Sequence, residues 1–392
     1  MRHRTAALLM SCLVAAAPAG AEECTAAVVS AAGSVEGAPL LWKNRDTGTL
    51  SNRLVFVDEE PYDYLCLANA DSASGRMCYA GLNSAGFAIM NTVAYNLPRS
   101  DGEMEDLEGA IMADALRTCR TAADFEARLE ANVGPDLGSL ANFGVIDADG
   151  AAVVYEVHNH GFARFDAATA PAGRLVVTNF ARSGPDEEGE GYLRFERATE
   201  LLAGLAPDKV SARTIVHRVS RDIGHVLLDH PTLEELSNRP AATAGWISTR
   251  DCIDRPDTAA TVVVAGANGA APPTLWVIPG EPLTAVAVPV WAAAGESPAE
   301  LWQGDDAPLW RESLRIKKLL RPASAGHKSD YLDLGRLANA EGTGWLPGLL
   351  RTEQDILDRT GTFLSEPRTA SELAAFQDQM ADLALRALQA IR

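Results

Sequence analysis

Cys24 opens a stretch, residues 24–31, that reads as a β-strand, and residues 38–46 read as the strand returning along it. Gly33 and Gly37 bound the turn between them. With Gly33 facing Gly37, antiparallel pairing joins positions whose numbers sum to 70. Cys24 then lies opposite Asp46, and Thr25 opposite Arg45. A slip by one residue still keeps the charged pair at the cysteine's end of the hairpin. One end of one hairpin thus gathers a thiol, a guanidinium and a carboxylate.

What precedes Cys24 gives that corner its meaning. Arg2, His3 and Arg4 form a cationic start, Ala6 to Ala17 an apolar run, and Ala19-Gly20-Ala21 a small-residue cleavage site. The run is too short to span a bilayer, so residues 1–21 read as a secretory signal peptide. The expected location is periplasmic or secreted. A cut after Ala21 leaves Glu22 and Glu23, a two-residue propeptide whose loss would put a free α-amine on Cys24. A lipid anchor is not expected, because Glu23 rather than a small residue precedes Cys24, and Cys12 lies too early.

The balance of 34 basic and 53 acidic side chains gives a net charge of −19, which argues against nucleic acid or an anionic membrane as partner. Loss of the signal leaves five cysteines: Cys24, Cys66, Cys78, Cys119 and Cys252. An odd number in an oxidising compartment leaves at least one thiol unbridged, and Cys24 is the natural one. Cys66 falls opposite Cys78, or within two residues of it, in a second hairpin over 62–69 and 76–82, close enough for a cross-strand disulfide.

Further strands are expected at 87–92, 142–147, 151–157, 174–180, 258–265, 274–279 and 283–288. Helical spacing covers 107–132, 192–204 and 209–224, and after Pro289 the pattern is helical and loop-like, with an amphipathic helix over 371–391. Strands, helices, strands and helices in that order predict an α+β layered protein rather than an alternating parallel sheet. Trp302, Trp310 and Trp345 read as anchors of a C-terminal helical extension.

The chemistry at Cys24 follows from pKa values. A free thiol titrates at ~8.5, and an α-amine at ~7.7–8.0 can take its proton near neutrality. Arg45 or Lys43 would stabilise the thiolate and the oxyanion that follows, and Asp46 would orient the ammonium. Asn91 and Asn179 each end a predicted strand, where an amide can donate a hydrogen bond to developing charge. His158 and His160, two apart on a predicted strand, lack a third ligand cluster, so no metal is expected, and no cofactor is implied. No Gly-x-Ser-x-Gly elbow is present.

Cys24-Thr25, Leu40-Leu41-Trp42-Lys43-Asn44-Arg45-Asp46, Gly81-Leu82-Asn83-Ser84-Ala85-Gly86-Phe87-Ala88 and Val177-Thr178-Asn179-Phe180 occur in that order, ahead of Arg255 and the strand Thr258 to Val264. The set resembles the N-terminal-nucleophile (Ntn) hydrolases, in particular the choloylglycine hydrolase, penicillin V acylase and isopenicillin-N acyltransferase-like group. The resemblance runs from Cys24 to about Trp291. It implies a four-layer αββα fold over 24–291, with 292–392 as the helical extension. It also implies Cys24 as nucleophile, its amine as proton acceptor, Asp46 holding that amine, and Asn179 donating to the oxyanion. Asn91 would join the same hole through its backbone N–H, and a late arginine would support the thiolate; Arg250 and Arg255 both precede the strand at 258, and Arg255 is preferred because Pro256-Asp257-Thr258 leads directly into it. Bile-salt hydrolases place arginine three residues before the aspartate; here Lys43 stands there, with Arg45 able to compensate. The expected substrate is a small linear, non-peptide amide, cleaved through a thioester. Acyl transfer from the same thioester is one alternative, and a secreted binding protein that keeps the fold without turnover is another. The acyl group and the oligomeric state are not legible.

Overall fold

The computed structural model describes residues 23–72, 75–98, 105–205, 208–269, 271–322 and 330–392. The signal-peptide reading and Glu22 therefore lie outside the described residues. Two antiparallel sheets form the centre. In chain order the strands are β1 (Thr25–Val29), β2 (Leu40–Asp46), β3 (Asn52–Val57), β4 (Tyr64–Asn69), β5 (Ala80–Asn83), β6 (Ala88–Val93), β7 (Leu140–Ile146), β8 (Ala152–His158), β9 (Gly161–Asp166) and β10 (Arg174–Val177). There follow β11 (Trp246–Ser248), β12 (Thr258–Ala265), β13 (Thr274–Ile278), β14 (Val288–Val290) and β15 (Tyr331–Asp333). One sheet runs β10-β1-β2-β12-β13-β14, the other β3-β4-β5-β6-β7-β8-β9, and β11 pairs with β15 as a small separate ribbon.

Alternation of side chains along the strands explains the layering. On the seven-stranded sheet, Leu65, Leu67, Leu82, Ala88 and Met90 pack inward with Val28, Leu41 and Val262 of the other sheet. Their neighbours Cys66, Ile89, Phe143, Val153 and Tyr155 face outward and meet Met112, Leu116 and Phe125 of the helices α1 (Glu108–Thr118) and α2 (Ala122–Asn132). The six-stranded sheet is covered on its far side by α3 (Tyr192–Leu205), α4 (Ala212–His217) and the C-terminal helices Pro308–Leu320, Leu346–Phe363 and Ala370–Gln389. The architecture is four-layered, helices–sheet–sheet–helices. Leu309, Trp310, Ile356, Met380 and Leu388 belong to the same hydrophobic core as β1, β2 and β12, so the C-terminal helices complete the outer layer of that sheet.

Several expectations need correction. The helical stretch 107–132 is two helices, because Cys119 leaves helical geometry and Thr121 starts a new helix through a capping box with Asp124. β3 and β9 lie outside the expected strands; β9 is half-exposed and weakly patterned. Residues 282–284 form a 3-10 turn, and only Val288–Val290 pair as a strand. Among the three tryptophans, Trp310 is fully buried with its indole N–H on Ala259 O at 2.9 Å, whereas Trp302 is 43% exposed. Cys66 and Cys78 form a disulfide; Cys24, Cys119 and Cys252 are in none. β8 ends at His158 and His160 lies in the following turn, so the two do not share a strand face. Among the described residues no group of three His, Cys, Asp or Glu is placed to hold a metal ion, and no helix is long and apolar enough to cross a membrane.

Candidate active site

The hairpin at the start of the fold sets the site, with a register one residue away from the expected one. Thr25 pairs with Asn44 and Ala26 with Lys43, so Cys24 extends the ladder opposite Arg45 rather than Asp46. The reason is the connection. Ser30 caps a 3-10 turn over Ala31–Gly33, and Val35 N–H donates to Val210 O, so Gly33 never faces Gly37. Cross-strand partners share a face, and Cys24 therefore shares one with Lys43 and Arg45.

The backbone around Cys24 is held on every side. Glu23 N–H donates to Asp46 O at 3.2 Å. Cys24 N–H donates to Asn179 Oδ1 at 3.0 Å, and Cys24 O accepts from Arg194 Nη1 at 2.7 Å. Arg194 also donates to Thr25 Oγ1 at 3.0 Å and to Asn179 Oδ1 at 2.8 Å. Two donors converge on the same Asn179 atom, which must therefore be the oxygen. Asn179 Nδ2 donates to Val93 O at 3.0 Å. In this state, then, the oxygen of the asparagine faces the Cys24 nitrogen, and its amide nitrogen points to a carbonyl of β6.

The charges are buried and close. Arg194 is 1% exposed, and Gly191 at φ +78° leads the chain into α3, with room for Arg194 only because it has no Cβ: one built there would meet Arg194 Nη2 at 2.6 Å. Arg255 is likewise buried, its Nη1 on Glu23 Oε2 at 2.5 Å and its Nε 3.9 Å from Asp46 Oδ2. Arg194 Nη2 reaches the same Glu23 oxygen at 3.3 Å. Burial raises Glu23, but Arg255, Arg194 and the exposed Arg250 together hold its carboxyl below the usual range. Asp46 accepts from Thr258 Oγ1 at 2.7 Å. Burial pushes its carboxyl up to about 7 against the pull of Arg255, Arg194 and Thr258. Burial and the like charge of Arg255 lower the pKa of Arg194. Asp46 Oδ2, Arg255 Nε and Arg194 Nε have no hydrogen-bond partner among the described residues.

A second network lies toward the other sheet. Lys43 Nζ donates to Asn91 Oδ1 at 2.7 Å and to Tyr79 O at 2.9 Å. Asn91 Nδ2 donates to Glu108 Oε2 of α1 at 2.7 Å. The guanidinium of Arg45 stacks on Tyr79, 3.5 Å from the ring centroid, and bonds Asn52. The structure thus brings Cys24, Asp46, Asn179 and Arg255 together, and it commits the side chain of Asn91 to Lys43 and α1. Arg255 bonds within the cluster, whereas Arg250 acts on Glu23 through its charge. Sequence reasoning missed Arg194, Thr258 and the side chain of Glu23. Thr258 was within reach as the first residue of the strand after Arg255, but nothing in the spacing marks Arg194.

The other two thiols outside the disulfide are buried. Burial pushes Cys119 up to about 12, and burial with the carboxylates of Asp222 and Asp254 raises Cys252 as well.

No family model and no curated protein matches the chain. Solved structures do. A variant of conjugated bile acid hydrolase from Clostridium perfringens is 11% identical, with 65% of this chain and 89% of that one covered and a TM-score of 0.39. A Caenorhabditis elegans N-acylethanolamine-hydrolyzing acid amidase ortholog is 16% identical over 62% of this chain and 92% of its own, with a TM-score of 0.41. Penicillin V acylase from Agrobacterium tumefaciens is 16% identical over 68% and 86%, with a TM-score of 0.41. The functional reading of this chain is carried by its own residues.

Proposed function

We propose that this chain is an exported cysteine Ntn hydrolase that cleaves a linear amide C–N bond of an N-acylated amine or amino acid. One observation carries the reading: both polar groups of Cys24's backbone are gripped by buried side chains, N–H by Asn179 and C=O by Arg194. An ordinary strand start has no need of two such clamps, while a residue whose nitrogen must act as a base does.

Processing comes first. The Cys24 thiolate attacks the Glu23 carbonyl carbon, the Glu23–Cys24 C–N bond breaks with a proton delivered to nitrogen, and water hydrolyses the resulting thioester. The freed α-amine stays beside Asn179 Oδ1. Asp46, with an oxygen that lacks a hydrogen-bond partner, is the group that can accept from the new ammonium. In turnover the amine takes the Sγ proton, sulfur bonds to the substrate's carbonyl carbon, and the proton passes to the departing amine. The amine then takes a proton from water, which attacks the thioester, and the acid product leaves as the thiol reforms. Arg255 supports the thiolate. Asn179 Nδ2 would turn from Val93 O to meet the oxyanion, and Lys43 and Arg45 add positive charge from the same face as the thiol. Acyl transfer would follow if an amine replaced water.

Rapid quenching with an activated N-acyl amide followed by intact-mass measurement tests the proposal. The expected product is one acyl adduct on Cys24, absent in Cys24→Ala. Turnover that persists in Cys24→Ala would rule the mechanism out.

A further inference from the structure

Glu23 is the acyl half of the first amide bond that the Cys24 thiol meets, and its side chain is bound. Oε2 bridges Arg255 Nη1 at 2.5 Å and Arg194 Nη2 at 3.3 Å. The two arginine side chains are 5% and 1% exposed, but that of Glu23 is 30% exposed, so the slot opens to solvent from the carboxylate's side. Release of Glu23 would remove that anion and leave two neighbouring guanidiniums. Their remaining acidic neighbours are Asp46, whose burial resists ionisation, Asp257, 3.8 Å from Arg255 and 59% exposed, and the Cys24 thiol, which acts on Arg194. Two buried like charges in a poorly screened site favour any anion that can replace the lost one.

The position of that anion is set by covalent geometry. In Glu23 four bonds separate the carbonyl carbon from the carboxylate carbon. A substrate's acyl carbon must occupy the place of Glu23's carbonyl carbon, since the same sulfur attacks both. We infer that Arg194 and Arg255 form a carboxylate-binding subsite for the acyl half of the substrate, which selects dicarboxylic half-amides of about glutaryl length. This rests on the Ntn-hydrolase reading above and narrows its substrate class. The reaction remains hydrolysis: a glutaryl amide and water give the free dicarboxylate and the amine.

The test uses protein expressed from the full chain. Glutaryl p-nitroanilide and pentanoyl p-nitroanilide have the same carbon count and differ in the distal carboxylate. The expected kcat/KM ratio is on the order of 10–100-fold in favour of glutaryl, the weight of a charge-assisted hydrogen bond. Glutarate, but not pentanoate, should protect Cys24 from a cysteine-directed electrophile, and this arm decides the matter if neither anilide turns over. Cys24-dependent cleavage of the pentanoyl amide at an equal or greater rate overturns the inference and leaves the hydrolase reading standing. Equal protection by both acids, or by neither, also overturns it. A chain that keeps Glu23 and shows no Cys24-selective adduct removes both.

Discussion

Two of the buried arginine–carboxylate centres among the described residues treat their polar atoms differently. Beneath the C-terminal helices, Glu353 accepts from Arg221 Nη1 and Nη2 at 2.7 and 2.9 Å, from Ala287 N–H at 3.0 Å, and pairs with His217 Nδ1 at 2.9 Å. Arg221 spends its other donors on Val216 O and Pro282 O. At Cys24, by contrast, Asp46 Oδ2, Arg255 Nε and Arg194 Nε lack such partners. Burial of a charge costs several kcal/mol unless hydrogen bonds compensate it. The first centre compensates in full and ties the helix Leu346–Phe363 to the strip beyond β13. The second leaves donors and an acceptor uncommitted beside a thiol, which is what a site that receives a new amine and a substrate requires.

Glu353→Ala strands Arg221 in the core and should cost about 3–5 kcal/mol by chemical denaturation. Electrophile labelling of Cys24 in the folded fraction should be unchanged, and loss of labelling below the unfolding transition would contradict the separation of the two centres.

Asp46 gives the next effect, with a definite sign. An acid whose folded pKa lies near 7 rather than at its ordinary value binds more protons folded than unfolded between about 4 and about 7. Stability should therefore fall as pH rises through that window and level off above it, by at most about 4 kcal/mol. Asp46→Asn, compared with the parent in the Glu23-bearing form, should remove that slope. Identical pH profiles of denaturation midpoints would show that Asp46 is not held protonated.

Asn179→Ala removes the clamp on the Cys24 nitrogen and the amide that would turn to the oxyanion, and kcat should fall about 10²–10³-fold, as for loss of one oxyanion donor. A rise in KM alone would assign Asn179 to substrate binding instead. The smallest effect belongs to a site far from both centres: Thr121→Ala breaks the capping box of α2 and should cost about 1 kcal/mol with activity intact.

The sequence exposed what is local. The hairpin, the cysteine at its end, the strand after Arg255 and the layered α+β order follow from periodicity and turn residues. The register did not, because Gly33 and Gly37 suggest a symmetric turn, while Ser30 and Val210 draw the loop elsewhere. Lys43 crosses between the sheets and donates to the Asn91 side-chain oxygen, a contact that no spacing marks. Arg194 was invisible, since its four partners lie 15 to 171 residues away and only the folded chain brings α3 onto Cys24.

On the function proposed above, Cys24 becomes the chain's first residue and its nucleophile. The decisive measurement is the intact mass of protein expressed from the full chain, before and after a cysteine-directed electrophile and with Cys24→Ala alongside. The expected mass begins at Cys24, with one rapid adduct that the substitution abolishes. A mass that retains Glu22-Glu23, with no selective adduct, would contradict it and leave a binding protein that keeps the fold without turnover.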